Sequence, residues 1–181
     1  MCGRRMPGRW NASYISAGHH MTVQAGALLS AVAKQALREG LSGLEFASGI
    51  PGTVGGAVVM NAGAYGGEMK DVVESVTVLD EEGAVRKLAR EELQMGYRTS
   101  LVKKKGYTVL EAVLKLNDGD PAAISARMEE LKEQRVSKQP LEYPSAGSTF
   151  KRPEGYFAGK LIMDSGLRGF RVGGAQISEK H

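Results

Sequence analysis

A glycine-rich segment between Gly43 and Gly67 has the pattern in this sequence that best suits ligand binding. Its tightest part is the run 49–56, Gly-Ile-Pro-Gly-Thr-Val-Gly-Gly. Glycine permits positive φ and proline fixes φ at about −65°, so this run can bend sharply and turn its N–H groups outward, where they bind anions such as a pyrophosphate. Most glycine-rich loops are structural turns, however. This one has neither a Gly-Lys-Ser/Thr phosphate loop nor a G-x-G-x-x-G dinucleotide pattern.

The elements around this segment follow from hydrophobic spacing. Apolar residues recur at helical intervals over 27–41, ending near Gly40, and predict an amphipathic helix. Residues 72–79 are rich in β-branched side chains, and the pattern resumes at 84–88 after the polar turn 80–83, which predicts a hairpin. The glycine-rich segment fits neither a long helix nor a simple strand, and we expect a loop system with short elements there.

The second half of the sequence is predicted to place short elements around one long helix. We expect a helical turn at 90–95, a basic turn at 103–106, and a strand at 107–116 whose even-numbered residues share one face. Asp120 and Pro121 supply an N-cap and a first-turn proline for a helix reaching about Arg135. This helix is predicted to join two domains, 1–120 and 121–181. A short helix at 157–164 and a strand starting near Gln176 are expected in the second domain.

The composition excludes several classes of function. The 24 basic residues are intermingled with 20 acidic ones, so no nucleic-acid partner is expected despite a formal net charge of +4. No apolar run approaches the roughly 20 residues that cross a bilayer, and no export signal is seen, so we expect a cytoplasmic protein with no membrane partner. A single cysteine, Cys2, supports neither a disulfide nor a metal site. No specific protein partner is predicted.

The glycine-rich segment also resembles a known family residue by residue. Residues 43–57, GLEFASGIPGTVGGA, and 60–66, MNAGAYG, are similar throughout to the flavin-binding segment of the UDP-N-acetylenolpyruvoylglucosamine reductases. The similarity continues through four later strings: 96–100 GYRTS, 135–140 RVSKQP, 146–153 AGSTFKRP and 173–181 GGAQISEKH. It thus covers nearly everything after about residue 14.

The resemblance implies an α+β fold, with a partial FAD-binding domain of the vanillyl-alcohol-oxidase/PCMH type before a partial α+β substrate-binding domain. In that family NADPH reduces FAD, and the flavin passes a hydride to UDP-N-acetylglucosamine enolpyruvate, giving UDP-N-acetylmuramate for peptidoglycan synthesis. No metal is implied. The residues that match the family's cofactor-binding positions are Ser48, Gly49, Ile50, Pro51, Gly52, Gly55, Gly56, Ala57, Asn61, Ala62 and Gly63.

Two matching residues would carry catalysis. Arg98 matches the family's catalytic arginine, whose permanently charged guanidinium can stabilise negative charge that develops on the substrate carboxylate. Ser148 matches the proton donor, and a hydroxyl can act as an acid there only if its neighbours hold it close to the reacting carbon. The structural alternatives are that Arg98 pairs with a surface carboxylate and that Ser148 is a turn or N-cap serine.

Four further residues match substrate-side positions. Lys138, Lys151 and Arg152 would meet the charged UDP moiety, although a solvated basic edge is an equal alternative. Tyr97 would pack against flavin or substrate, and the alternative is a buried core tyrosine.

Two family features have no counterpart in this sequence. Nothing before Ala17 resembles the family's other flavin pyrophosphate loop, and the catalytic glutamate that follows the strand continuing from Ser178 is absent, since Glu179 is not that residue. We therefore expect a chain truncated at both ends. The expectation leaves two functions open: a flavoenzyme fragment, or a non-catalytic remnant that binds a UDP-sugar or no ligand.

Overall fold

A computed structural model of this protein describes residues 14–140 and 142–180, so the expectation for Cys2 lies outside the described residues. The chain divides into two compact units, Met1–Lys132 (unit 1) and Glu133–His181 (unit 2). The division falls within a long helix, whereas the predicted domain boundary at 120/121 lies where that helix begins.

Unit 1 is built on β-strands and short helices. Its strands are β1 (Tyr14–Ala17), β2 (His20–Gln24), β3 (Leu41–Ser42), β4 (Gly63–Ala64), β5 (Gly67–Glu68), β6 (Val73–Leu79), β7 (Val85–Ala89), β8 (Thr108–Lys115) and β9 (Asn117–Asp118). Its helices are α1 (Leu29–Arg38), α2 (Val54–Val59), α3 (Met69–Val72) and α4 (Leu101–Lys105), with 3₁₀ turns at Glu45–Ala47 and Arg90–Leu93. The mixture confirms the predicted α+β class, the first helix, the 72–88 hairpin and the short elements of the glycine-rich segment.

Five of these strands form one antiparallel sheet in the order β1-β2-β8-β6-β7. Strand β8 lies at its centre, and its Ala112 and Leu114 are fully buried. Helix α2 packs against β8, and its Val54 and Val58 are also fully buried. The middle of the glycine-rich segment is therefore fixed to the centre of the sheet, since burying such apolar side chains is the main stabilising term in folding.

The expected alternation of the 107–116 strand is wrong at its start. Strand β8 alternates over Ala112 and Leu114, but Val109 is buried and Leu110 is 40% exposed. The pairing of β6 with β8 shifts between Thr77 and Val78, so Leu110 is the extra residue of a β-bulge. A bulge inserts one residue into the ladder and reverses the faces beyond it.

The basic turn expected at 103–106 is also wrong, because Lys103, Lys104 and Lys105 lie in helix α4. Its N-cap is Ser100, whose hydroxyl accepts a hydrogen bond from the Lys103 N–H at 3.2 Å. Gly106 ends the helix with φ +66°. Lysines in the last turn complement the negative end of the helix dipole, which explains why three consecutive cations suit this position.

The long helix α5 (Pro121–Lys138) starts as predicted, with the Asp120 carboxylate accepting from the Ala122 N–H at 3.1 Å. Unit 2 contains the rest of α5, the short helix α6 (Ala158–Asp164) and the hairpin strands β10 (Arg171–Val172) and β11 (Ala175–Gln176). The predicted short helix and the strand near Gln176 are thereby confirmed. Among the described residues of unit 2 none is buried.

Candidate functional site

Two backbone hydrogen bonds join the glycine-rich segment to residues 25–29, at the start of α1. The Gly52 carbonyl accepts from the Leu29 N–H at 3.0 Å, and the Gly55 N–H donates to the Ala25 carbonyl at 2.9 Å. A Cβ on Gly55 would lie 2.9 Å from the Ala25 Cβ, closer than real side chains approach. Gly55 is therefore required for close packing, whatever else it does.

These hydrogen bonds determine which backbone N–H groups of the bend are still able to bind a ligand. Inside the bend, Gly55 donates to Ala25, and the Gly56 N–H donates to the Thr53 hydroxyl at 3.4 Å. Within the described part of the chain, the N–H groups of Gly49, Gly52 and Thr53 form no hydrogen bond. Gly52 has φ +121° and open space where a Cβ would point. The anion-binding surface predicted for this segment is thus reduced to three backbone N–H groups around a bend in which Pro51 is exposed and Ile50 is partly buried against the core.

Asn61, which follows α2, joins three separate segments with one side chain. It is 1% exposed and has φ +42°. Its Nδ2 donates to the Glu68 carboxylate at 2.5 Å and to the Gly96 carbonyl at 3.0 Å, and its Oδ1 accepts from the Lys70 N–H at 2.9 Å. Both amide protons and one of the two lone pairs of Oδ1 are used within the protein, and the side chain is buried. Its backbone N–H donates to the Val58 carbonyl at 3.1 Å, so a cofactor contact by Asn61 would have to come from its backbone carbonyl.

A tight turn holds Arg98 beside the end of the glycine-rich segment. Gly96 and Thr99 exchange backbone hydrogen bonds of 3.0 and 3.2 Å, and Arg98 has φ +56°, an uncommon value for a residue with a side chain. The Arg98 guanidinium donates to the Gly63 carbonyl at 3.1 Å and lies 5.4 Å from the centroid of the Tyr97 ring. The predicted catalytic arginine and a predicted cofactor residue are thus in direct contact.

The contacts around this turn contradict two of the structural alternatives, the surface ion pair for Arg98 and the core position for Tyr97. Arg98 forms no ion pair with any carboxylate in the described ranges, so the surface-pair alternative is not what the structure shows. Tyr97 is 52% exposed, so it is not a core tyrosine. The Glu68 carboxylate accepts a hydrogen bond from Asn61 and pairs with the Lys70 ammonium at 2.6 Å. That carboxylate raises the pKa of Lys70 above its ordinary value, first through the hydrogen bond and then through its charge.

The remaining predicted residues lie in unit 2 and are exposed. Ser148 follows Gly147, whose φ is +73° and whose N–H donates to the Ser145 hydroxyl at 3.1 Å. Lys138 ends α5, and the Arg152 guanidinium lies 5.6 Å from the Phe157 ring centroid. The structure therefore describes the two groups of the predicted site separately, and the roles of the unit 2 residues stay predictions.

Sequence reasoning missed one side chain that supports the Arg98 turn. Ser100 is fully buried, and its hydroxyl donates to the Val59 carbonyl at 2.8 Å, which ties α4 to the end of α2. A serine five residues before the end of a Leu-Val-Lys-Lys-Lys run, followed by Gly106, is a recognisable pair of helix boundaries. That signal was present in the sequence, whereas the contact with Val59 was not predictable from it.

The described ranges contain neither a metal-binding cluster nor a membrane-spanning helix. They contain no cluster of three or more histidine, cysteine, aspartate or glutamate side chains arranged to hold a metal ion. No described helix is both long enough and apolar enough to cross a bilayer.

Family profiles match both parts of the chain. A profile described as an FAD binding domain matches residues 6–89, which include the glycine-rich segment and Asn61. A second profile, described as the C-terminal domain of UDP-N-acetylenolpyruvoylglucosamine reductase, matches residues 139–181, which include Ser148, Lys151 and Arg152.

Individual relatives agree with the profiles. The chain is 60% identical over 164 residues to a UDP-N-acetylenolpyruvoylglucosamine reductase of Clostridium perfringens, covering 91% of this chain and 54% of the relative. It is 63% identical over 163 residues to one of Agathobacter rectalis, covering 90% and 52%. The crystal structure of the Thermus caldophilus reductase superposes with a TM-score of 0.80 at 46% identity, covering 88% of this chain and 59% of that one.

The chain spans about half the length of the curated relatives it matches. Within that span the match covers 164 of the 181 residues, and the solved structure has the same fold. This confirms the resemblance found in the sequence: over about nine-tenths of its length the chain is similar to the UDP-N-acetylenolpyruvoylglucosamine reductases.

Proposed function

We propose that this chain is the flavin-binding part of an NADPH-dependent oxidoreductase that reduces UDP-N-acetylglucosamine enolpyruvate to UDP-N-acetylmuramate in the cytoplasm, a step of peptidoglycan precursor synthesis. The single observation that carries the proposal is the hydrogen bond from the Arg98 guanidinium to the Gly63 carbonyl. It sets a permanent cation against the segment that the FAD binding domain profile covers. The names of the relatives support the substrate, and their family supports the redox chemistry.

The described residues fit an FAD molecule. Gly49, Gly52 and Thr53 offer three N–H groups without an internal partner, and Gly52 leaves open space beside them. Such a group of backbone donors suits a pyrophosphate, and the backbone of residues 61–63 would extend the contact toward Arg98. When bound, FAD supplies two-electron redox chemistry between NADPH and the enolpyruvyl double bond.

Arg98 would stabilise the charge that the reaction creates. Adding a hydride to an enolpyruvyl group pushes negative charge onto its carboxylate, and a fixed guanidinium favours that charge most when water is excluded. Arg98 is held by Gly63 and by the Tyr97 ring, so its charge is positioned before substrate arrives. A positioned cation of this kind lowers the barrier because it needs no reorganisation during the reaction.

The predicted residues of unit 2 would have two roles. Ser148 would give a proton to the carbon next to the one that receives hydride, and Lys138, Lys151 and Arg152 would meet the phosphates of the UDP group. All four side chains are exposed and polar, as groups that wait for a ligand must be. Ser148, Lys151 and Arg152 lie within the range 139–181 that the C-terminal domain profile matches, whereas Lys138 lies just before it.

The second candidate function is that of a non-catalytic remnant that binds a UDP-sugar or no ligand. Unit 2 favours it, because a region without a buried residue among those described has little packing to hold Ser148 in a fixed place. The two candidates differ in one measurement. Anaerobic NADPH should bleach the flavin of an enzyme, and UDP-N-acetylglucosamine enolpyruvate should restore its colour, whereas a remnant gives neither change.

Flavin binding itself is tested by substituting Gly52 with alanine. The substitution forces a Cβ into the φ +121° conformation and into the open space beside the three free amides. We expect FAD titration, followed by quenching of flavin fluorescence, to show at least tenfold weaker binding in Gly52→Ala. Strain of this kind also costs on the order of 1–3 kcal/mol of stability.

A matched control separates strain from binding. Gly83 in the β6–β7 turn has φ +80° and equally open space, but it lies on the far hairpin. Gly83→Ala should lose stability without losing FAD affinity. Equal losses of affinity in both variants would remove the glycine-rich segment from the proposed cofactor site.

A further inference from the structure

We infer that Asn61 is the positioning residue for Arg98, acting through the Gly96 carbonyl, and that its amide group is required for this role. The inference rests on the proposed function, in which Arg98 is the catalytic cation. It concerns how one buried side chain holds another residue's backbone in place. Asn61 itself is not assigned any contact with the substrate.

The argument starts from the number of hydrogen bonds. A primary amide has two N–H donors and a carbonyl acceptor, and Asn61 uses one donor on Glu68, one on Gly96 and the acceptor on Lys70. The Glu68 and Lys70 bonds stay local, spanning seven and nine residues. The bond to Gly96 spans 35 residues, and it is the one that reaches the Arg98 turn.

The Arg98 turn needs such a support because its own conformation is costly. Arg98 lies in the left-handed region at φ +56°, which for a residue with a β-carbon persists only where neighbours impose it. The two bonds between Gly96 and Thr99 close the turn but do not place it relative to the glycine-rich segment. Three bonds make that placement. The Ser100 hydroxyl bonds to the Val59 carbonyl after the turn, the Arg98 guanidinium bonds to Gly63, and Asn61 bonds to Gly96, where the turn begins.

The backbone conformation at residue 61 also limits which residue types fit there. At φ +42° the backbone of residue 61 is one that asparagine and aspartate tolerate and most other residues do not. Aspartate would keep the bond to the Lys70 N–H but could not donate to Gly96. Asparagine is therefore the residue type that satisfies the backbone and the Gly96 carbonyl together.

The network offers a swap that separates fold from positioning. In Asn61→Asp/Glu68→Gln the amide and the carboxylate exchange places, so the 61–68 hydrogen bond is restored with reversed polarity and the net charge is unchanged. The bond to Gly96 is not restored, because a carboxylate has no donor. Glu68→Gln alone is the control, since the amide oxygen that it introduces can still accept from Asn61, which keeps its donor for Gly96.

The first readout needs no activity. In the ¹⁵N-labelled full chain the side-chain Nε–Hε signal of Arg98, assigned by its absence in Arg98→Lys, should be shifted by the Tyr97 ring, and the Nη2 protons that bond to the Gly63 carbonyl should be slow to exchange. We expect the shift and the slow exchange to be kept in Glu68→Gln and lost in the swap, while the thermal midpoint of the swap stays close to that of Glu68→Gln.

The second readout is kinetic. With FAD bound at equal stoichiometry, the swap should lower kcat for the enolpyruvyl sugar about a hundredfold relative to Glu68→Gln, the size of effect that an ångström of misplacement produces. If no variant or wild type oxidises NADPH, the proposed function fails while the nuclear magnetic resonance result still decides the positioning role. The inference is overturned if the swap keeps the Arg98 signal, or if it unfolds where Glu68→Gln folds, since Asn61 would then serve the fold alone.

Discussion

The two units of this chain differ in how they hold their functional side chains. In unit 1, buried side chains of α1, α2 and the central sheet form one core, and Arg98 and Asn61 are fixed by hydrogen bonds to segments that the core supports. In unit 2 no described residue is buried, although ten large apolar side chains are exposed there: Val136, Tyr143, Phe150, Tyr156, Phe157, Leu161, Met163, Leu167, Phe170 and Val172. Geometry in unit 2 therefore depends on local turns such as the one at Gly147.

This contrast explains why the two groups of predicted residues are not equivalent. A packed interior has few voids and transmits small displacements, so a side chain attached to it keeps a definite place. A segment held by local hydrogen bonds opens at little cost in free energy. The hydrogen bonds of unit 1 therefore hold Arg98 in a definite place, whereas only local turns determine the geometry around Ser148.

Replacing one proposed catalytic group from each unit gives the largest expected effect. Arg98→Ala and Ser148→Ala should each lower turnover of the enolpyruvyl sugar by roughly 10³-fold, the effect typical of removing one group that stabilises developing charge or delivers a proton. Flavin content should stay unchanged in both, as measured by absorbance of the purified chain. Steady-state NADPH oxidation reports the turnover.

The control for Arg98→Ala is Arg38→Ala, an exposed arginine in α1 whose guanidinium donates a 3.4 Å hydrogen bond to the Gln35 side chain. It should leave turnover unchanged. Loss of flavin from Arg98→Ala would instead assign Arg98 to the structure of the cofactor site, and the proposed role of its charge would be wrong.

The core itself is tested by the same substitution made in each unit. Leu114→Ala removes a fully buried side chain from the centre of β8 and should cost about 3 kcal/mol of unfolding free energy, the transfer term plus the cavity that remains. Leu161→Ala in α6 removes a side chain that is 40% exposed and should cost less than about 1 kcal/mol. Urea unfolding followed by circular dichroism measures both. Equal losses would mean that unit 2 has a core of its own under the conditions of measurement.

The sequence predicted the elements with the strongest local signals. Helix α1 has a clear apolar stripe, and the β6–β7 hairpin has a β-branched run before the polar turn that Asp80 begins and a short strand pattern after it. The start of α5 was marked by Asp120 and Pro121, whose capping geometry is as expected. In each case residues within one element determined the outcome, which is the information that periodicity contains.

Long-range contacts account for what the sequence could not predict. The bulge at Leu110 depends on the pairing of β8 with β6 more than 30 residues earlier, and the burial of Ser100 depends on the Val59 carbonyl 41 residues earlier. The resemblance identified Asn61 as a cofactor residue, but its link to Gly96 emerges only when both segments are placed in space. Patterns within a segment carry no record of such partners.

The smallest expected effect is on the pH dependence of stability, to which one carboxylate in each unit is compared. Asp80 is buried and accepts from the Ala84 and Glu82 N–H groups at 2.8 and 3.0 Å and from the Arg86 guanidinium at 2.5 Å. The hydrogen bond from Ala84, followed by those from Arg86 and Glu82, holds the pKa of Asp80 below its usual value. In unit 2, Asp164 makes only an exposed pair with Lys160 at 3.2 Å, and such pairs contribute little.

The pH dependence follows from the direction of the Asp80 shift. A carboxylate whose pKa is lower in the folded state adds stability at pH values above its unfolded pKa of about 3.9, and that stability disappears as the pH falls through the folded pKa. Asp80→Asn should therefore be less stable than wild type at neutral pH, and the difference should shrink below about pH 4. Asp164→Asn should match wild type throughout. Thermal unfolding between pH 3 and 7 measures both variants, and a difference for Asp80→Asn that does not change with pH would show that its charge contributes nothing to the hairpin.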